Sequence, residues 1–157
     1  MSRRNARELA LQVLFHIDVG RSDPETALKE AFDREEEAGV AGRLAESDAA
    51  YARELVVGTW THRDEIDSLI ATYAKDWSVD RMVGVDRNIM RIAIYEVRHR
   101  ADVPDGVAAD EAVELSKLFS TNESGKFING ILGSVIRGLK SDSPAAGDVK
   151  RNPGAEA

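Results

Sequence analysis

The sequence predicts an all-α protein of about seven helices, and three observations predict it. Apolar residues recur at the three-and-four spacing of an amphipathic helix along most of residues 6–139. Val, Ile and Phe never alternate at period two for the length of a strand. The patterned segments are separated by residues that stop or start helices, namely Gly20, Asp23-Pro24-Glu25 and Pro104.

The first helix carries Ala6, Leu9, Ala10, Val13, Leu14 and Ile17 on one stripe, with Leu11 and Phe15 as a second ridge beside it. Two ridges mean burial on more than one side. Gly20 is placed to end the helix. Asp23, Pro24 and Glu25 then read as N-cap, first-turn proline and first-turn acid of a second helix running to about Ala38, with Ala27, Leu28, Ala31 and Phe32 inward. Gly39–Ser47 is expected to be a loop. A third helix from about Asp48 turns Tyr51, Ala52, Leu55, Val56 and Thr59 to one side. Thr61 with Asp64 has the spacing of a capping box, so a break is expected there, followed by a fourth helix with Ile66, Leu69, Ile70 and Tyr73. Trp77-Ser78-Val79 ends it. Asp86–Arg100 forms the next helix, on a core of Ile89, Ile92, Ala93 and Val97, and Pro104 stops it. Ala108, Glu111, Ala112, Leu115, Leu118 and Phe119 make the following stripe, and Ile128, Ile131, Leu132, Val135 and Leu139 the last. Residues 141–157 hold almost no large apolar side chains and are expected to be a disordered tail.

A chain of 157 residues, 43% hydrophobic and 31% charged, builds one domain or two small ones around an ordinary core. No run of apolar residues is long enough to span a membrane, and the chain opens on a charged amphipathic pattern rather than an apolar targeting segment. A cytoplasmic location is expected. Cysteine is absent, which removes disulfides, thiolate nucleophiles and cysteine metal sites. The net charge of −7 speaks at first against a nucleic-acid partner. Residues 23–48, however, hold nine acids against three bases, so that segment carries −6 and the rest only −1. A local basic patch fits such a distribution.

No catalytic constellation emerges, and the chain reads as a non-enzyme without a cofactor. His62-Arg63-Asp64-Glu65 has an H-x-x-E spacing that supplies two metal ligands where a structural site needs about four. Asp110, Glu111 and Glu114 cluster within about a turn, but the Glu-x-x-His pair of a di-iron bundle is missing, and a hydrogen-bonded Glu111 is the simpler reading. Gly130 and Gly133 lie inside a helical pattern with no strand before them and no Gly-Lys-Ser/Thr, so they are read as packing positions rather than a phosphate loop.

Function must then come from a surface. Arg3, Arg4 and Arg7 crowd a helix N-terminus, where the dipole disfavours cations by up to about 1 kcal/mol. Spacing alone leaves two readings open, RNA phosphate contact or a frayed, solvated end. Lys126 and Phe127, placed in the first turn of the last helix, offer anion-binding amides and a ring on which an unpaired base stacks. Asn129 adds an amide for a base edge and Lys117 another charge, although Phe127 at this spacing also suits a core. Arg87, Arg91 and Arg98, beside Asp86 and Glu96, read as a solvated, ion-paired face.

Several segments, in order, resemble the NusB family of bacterial transcription antitermination factors. They are Arg3-Arg4-Asn5-Ala6-Arg7-Glu8-Leu9-Ala10, Tyr51-Ala52-Arg53-Glu54-Leu55-Val56-Val57-Gly58, Val85-Asp86-Arg87-Asn88-Ile89-Met90-Arg91-Ile92-Ala93-Ile94-Tyr95-Glu96, Val103-Pro104, Asp110-Glu111-Ala112-Val113-Glu114-Leu115-Ser116-Lys117 and Lys126-Phe127-Ile128-Asn129-Gly130-Ile131-Leu132. The resemblance implies two orthogonally packed helical subdomains, about 1–75 and 76–140, within one domain. It implies binding of the boxA RNA of ribosomal-RNA leader transcripts, a heterodimer with the ribosomal protein NusE through the C-terminal subdomain, and entry into the RNA polymerase antitermination complex. It carries RNA contact onto Arg3, Arg4, Arg7, Lys126 and Phe127. The family also admits a homodimer, and periodicity does not choose between that and a monomer. The chain departs from the family at Asn5, where another base is usual, at Asp110 and in residues 119–124. Two further readings are a free-standing relative of the helical domains fused to RNA cytosine methyltransferases, which predicts a Gly-rich cofactor loop downstream, and a small helical metalloenzyme using His62 and the carboxylates.

Overall fold

The computed structural model of the protein describes residues 3–37 and 46–142. Among them are seven α-helices and no strand: α1 (Arg4–Asp18), α2 (Pro24–Glu37), α3 (Glu46–Thr61), α4 (Arg63–Tyr73), α5 (Gly84–His99), α6 (Asp105–Phe119) and α7 (Asn122–Asp142), with a 3-10 turn at Val79–Arg81. Most of the expected Gly39–Ser47 loop and of the 141–157 tail lies outside the described residues. The helices fall into two compact units that divide after Thr61. The fourth helix packs on α5 and α7 and so belongs with the second unit, whereas the sequence reading grouped it with the first.

In the first unit α1 packs against both α2 and α3. Its whole predicted stripe is buried, and so is Leu11 on the second ridge. Phe15, expected to share that ridge, is instead 36% exposed. Asp23 caps α2 as expected: its Oδ2 accepts from the Thr26 backbone N–H at 3.1 Å and from Thr26 Oγ1 at 3.3 Å. Between α1 and α2 the left-handed residue is Arg21, at φ 57°, and not Gly20. Gly20 is required for room instead, since a Cβ there would stand 2.6 Å from the His16 carbonyl oxygen. Tyr51, Ala52, Leu55, Val56 and Thr59 of α3 are buried, completing the unit's core.

The break between α3 and α4 falls where Thr61 placed it, but the capping box does not form. His62 stands at the N-cap without a side-chain cap bond. In the second unit α5 is surrounded by α4, α6 and α7. Ile89, Met90, Ile92, Ala93, Ile94 and Val97 are buried, and so are Asp86, Asn88, Arg91 and Glu96. The expected solvated, ion-paired face holds at Arg98, which is half-buried with its Nη2 3.7 Å from Glu65 Oε1, and is corrected at Arg87 and Arg91. Arg91 is 4% exposed; its Nε and Nη2 donate to the two carboxylate oxygens of Asp67 at 2.8 and 2.7 Å. Arg91 Nη1 also donates to Asn88 Oδ1, and Asn88 Nδ2 donates to the Gly84 carbonyl. Arg87 closes the 3-10 turn onto α5 by donating to the Val79 and Met82 carbonyls at 3.1 and 3.0 Å. A helical period says which residues share a face, not whether a neighbour covers it, and here α4 brings Asp67 to that face.

The helices α6 and α7 pack against each other, with Ala108, Ala112 and Leu115 of α6 and Ile128, Ile131, Leu132 and Val135 of α7 all buried. Ile136 and Leu139 pack on Val97, Val103 and Ala108. The glycines that permit close approach are not the expected ones. Gly130 has open space where a Cβ would stand, and Gly133 meets only Arg137 of its own helix. Gly125 lies against Ser116 Oγ, and Gly138 lies under the Tyr73 hydroxyl, so these two let α6 and α4 come near α7.

Candidate nucleic-acid interface

Each unit carries one of the two predicted basic sets. In the first, the N-terminus of α1 has no acid in its first turn and no side-chain cap, so cations there remain disfavoured by the dipole. Arg3 answers that cost through α3: its guanidinium carbon lies 4.2 Å from the centroid of the Tyr51 ring, which is itself buried. Such a contact is worth about 0.5–2 kcal/mol, depending on desolvation. Arg3 is half-buried and Arg4 exposed. Arg7 shares Arg3's face, at i, i+4, and is only 5% exposed. A guanidinium turned into the unit has little surface to offer a phosphate, so this end presents Arg4 and the outer part of Arg3.

In the second unit α7 begins at Asn122, earlier than its apolar stripe indicated. Thr121 caps it, its Oγ1 accepting from the Ser124 backbone N–H at 3.0 Å. Lys126 and Phe127 consequently sit in the second turn, and the expectation that they flank open helix amides is corrected. The polar Asn122-Glu123-Ser124 run hid this first turn, since it carries no apolar side chain. Lys126 and Asn129 are exposed and, at i, i+3, share a face. Phe127 is half-buried. Lys117 is exposed near the end of α6, with its Nζ donating to Glu114 at 3.0 Å, and a phosphate would have to replace that carboxylate.

Asp86 fixes this corner. Ser120 Oγ and Ser124 Oγ each donate to one of its carboxylate oxygens at 2.7 Å, although the carboxylate is only 5% exposed. The first turn of α5 favours an anion through its dipole, and the two hydroxyls satisfy the desolvated oxygens. The α6–α7 turn, and the Lys126 and Phe127 that follow it, are thereby tied to the central helix.

Apolar side chains are also exposed in this unit. Leu118 and Phe119, expected in the α6 stripe, lie in its last turn and are 61% and 36% exposed. Trp77 is 56% exposed on the turn after α4, and its ring meets Phe127 edge to face, with centroids 6.1 Å apart and planes at 73°. Trp77 was missed by periodicity because it lies between helices. The signal available was an aromatic in a non-helical stretch with no patterned partner. Tyr51 and Asp86 were read as core and ion-paired surface respectively, and their roles depend on partners from other helices.

His62, Tyr95 and His99 form a stack, with His62 and His99 ring centroids 4.1 Å apart and Glu65 Oε1 3.5 Å from His99 Nε2. Burial, then the neighbouring His62, hold His99 below the ordinary value of 6.5. Among the described residues no group of three or more His, Cys, Asp or Glu is arranged to hold a metal ion, and no helix is long and apolar enough to cross a membrane.

With this geometry in hand, comparison with known proteins is specific. Residues 4–137 match the model of the NusB family. The transcription antitermination protein NusB of Symbiobacterium thermophilum is 56% identical over 153 residues, spanning 97% of this chain and 100% of that protein. The protein of the same description from Myxococcus xanthus is 42% identical, over 88% of this chain and 96% of its own. Among solved structures, NusB of T. maritima superposes with a TM-score of 0.77 at 34% identity, covering 87% of this chain and 92% of that one. A chain from a crystal structure of the antitermination factors NusB and NusE in complex with double-stranded RNA gives 0.74 at 30% identity, covering 86% and 96%.

Proposed function

The chain belongs to the NusB family, and we propose that it is a transcription antitermination factor. It binds the boxA RNA of ribosomal-RNA leader transcripts together with NusE and carries that RNA into the RNA polymerase antitermination complex. The observation that carries this reading is likeness along nearly the whole chain to proteins described as antitermination factors, one of them solved with NusE and RNA. The work is that of an adaptor in the cytoplasm, and it asks for binding surfaces rather than for catalytic groups or a cofactor.

Arg3 and Arg4 at the head of α1 supply phosphate contacts, and Lys126, Phe127 and Asn129 on α7 supply a charge, a ring and an amide to an unpaired segment. Lys117 joins them once Glu114 is displaced. Arg7 supports α1 from within, given its burial. So few cations on a protein of net charge −7 bind RNA weakly alone, and NusE strengthens the complex by linkage. Fluorescence anisotropy with labelled boxA-type RNA and a scrambled control, with and without NusE at two salt concentrations, tests this. Selective binding strengthened by NusE is expected. Equal weak binding to both RNAs, indifferent to NusE, refutes it.

A further inference from the structure

Tryptophan carries one of the largest apolar surfaces of any side chain and is highly buried on average. Trp77 nevertheless leaves more than half of its surface in water. It is held in that position rather than hanging loose. Its backbone N–H donates to the Ala74 carbonyl at 3.1 Å, and its ring meets Phe127 at the edge-to-face distance of 6.1 Å. Phe127 in turn stands on α7, whose first turn is tied to α5 through Ser124 and Asp86. The result is a rigid aromatic step on the surface of the second unit, with one ring half-covered and the other mostly open.

We propose that Trp77 and Phe127 together form a stacking platform for an unpaired base of a bound RNA, with Trp77 as the principal stacking residue. The inference rests on the RNA-binding reading above and adds to it a residue and a mode of contact. Every base has a face that stacks on an indole, so the contact tolerates sequence but requires a single strand. An edge-to-face pair at 73° covers at most one face of one ring, which leaves indole surface open for a third ring. Lys126, next to Phe127, and Lys75, two residues before Trp77, are exposed and accompany the base with contacts to its phosphates. Exposed Asp76 and Asp80 lie on the same turn as Trp77 and nearly cancel the local charge, so the step selects by ring contact rather than by bulk electrostatic attraction. That balance favours an RNA base over a general polyanion, and it separates the contribution of the rings from that of the arginines.

The test uses the full chain, a labelled single-stranded boxA-type oligonucleotide and a duplex of the same sequence, at several salt concentrations. Trp77→Ala should weaken single-strand binding about 5- to 150-fold, the range for one base–aromatic stack. The salt slope should stay unchanged, because no cation has been removed. Duplex binding should change little, Trp77→Phe should recover most of the loss, and the melting temperature should hold. In a Trp60→Phe background, the single strand should quench the remaining indole emission. Wild-type affinity in Trp77→Ala, alongside a clear loss in Arg4→Ala, would overturn the platform while leaving RNA binding by this chain intact. Loss of NusE affinity with RNA affinity unchanged would overturn it in favour of a protein-docking role for the same rings. Failure of the unaltered chain to bind any RNA would remove both readings together.

Discussion

The guanidinium of Arg3 lies 4.2 Å from the centre of the Tyr51 ring, so the basic N-cap residue of α1 is held by α3 instead of being left to solvent. A cation unfavourably placed at a helix N-terminus gains an aromatic face in return. Arg3 and Arg4, one residue apart, consequently differ. Arg3 is preorganised, and Arg4 is exposed.

Substituting Arg4 by Ala should lower RNA affinity and flatten the dependence of log affinity on log salt by about 0.7, the value for one phosphate contact with a single strand. The melting temperature should stay close to that of the unaltered protein. Anisotropy titrations at three or more salt concentrations check the slope. An unchanged slope would place the phosphate contacts elsewhere.

Arg7→Glu should behave quite differently. At 5% exposure, the substitution puts a carboxylate into a site built around a guanidinium. A loss on the order of 3 kcal/mol is expected, the cost of breaking a buried charged contact. Thermal or urea unfolding measures it. A variant as stable as its parent but defective in RNA binding would restore Arg7 to the interface.

Asp67→Ala leaves Arg91 without its paired carboxylate while keeping it buried. Stranding that guanidinium should cost about 3 kcal/mol, more than the net worth of the pair itself. The double variant Asp67→Ala with Arg91→Met should recover much of the loss, because the uncompensated charge is gone. Urea denaturation of the single and double variants makes the comparison.

His99 is held below its ordinary value of 6.5, chiefly by burial, then by His62, with Arg98 acting the same way and Glu65 opposing. The folded state therefore binds a proton at this site less readily than the unfolded chain does. The neutral side chain's contribution is fully present above pH 6.5 and is lost as the pH falls below it. Melting temperatures across this range should fall more steeply on the acid side for the parent than for His99→Gln. Parallel curves would count against it.

Arg21→Gly should stabilise the protein by up to about 1 kcal/mol, since a left-handed conformation costs an ordinary residue about 1–2 kcal/mol and glycine's greater unfolded-state entropy returns part of the gain. Arg21 holds that conformation at φ 57° on an exposed turn. A lower melting temperature would mean that the arginine side chain contributes more than its backbone costs.

The sequence by itself determined the helices, and most of the residues predicted to face a core are buried, Phe15, Leu118 and Phe119 being the exposed exceptions. Ala6 to Ile17 in α1, Tyr51 to Thr59 in α3 and Ile128 to Val135 in α7 supply a period long enough to be read without a neighbour. The cap at Asp23 was legible for the same reason, because its partner Thr26 lies three residues away. Where the first turn of a helix is polar, as in α7, the start was misplaced by a turn, and with it the local setting of Lys126 and Phe127.

Tertiary structure alone decided which polar residues face water. Arg7 and Arg91 are buried while Arg4 is exposed, and Asp86 is a buried tie between helices rather than a surface ion-pair partner. Tertiary structure also decided that Gly125 and Gly138, not Gly130 and Gly133, make room for neighbours, and that Trp77 meets Phe127. The reason is one of range. Helical periodicity arises from contacts three and four residues apart, whereas Asp67 and Arg91, Arg3 and Tyr51, and Trp77 and Phe127 come from different elements far apart in the chain. Their meeting depends on how those helices pack, which no local pattern records.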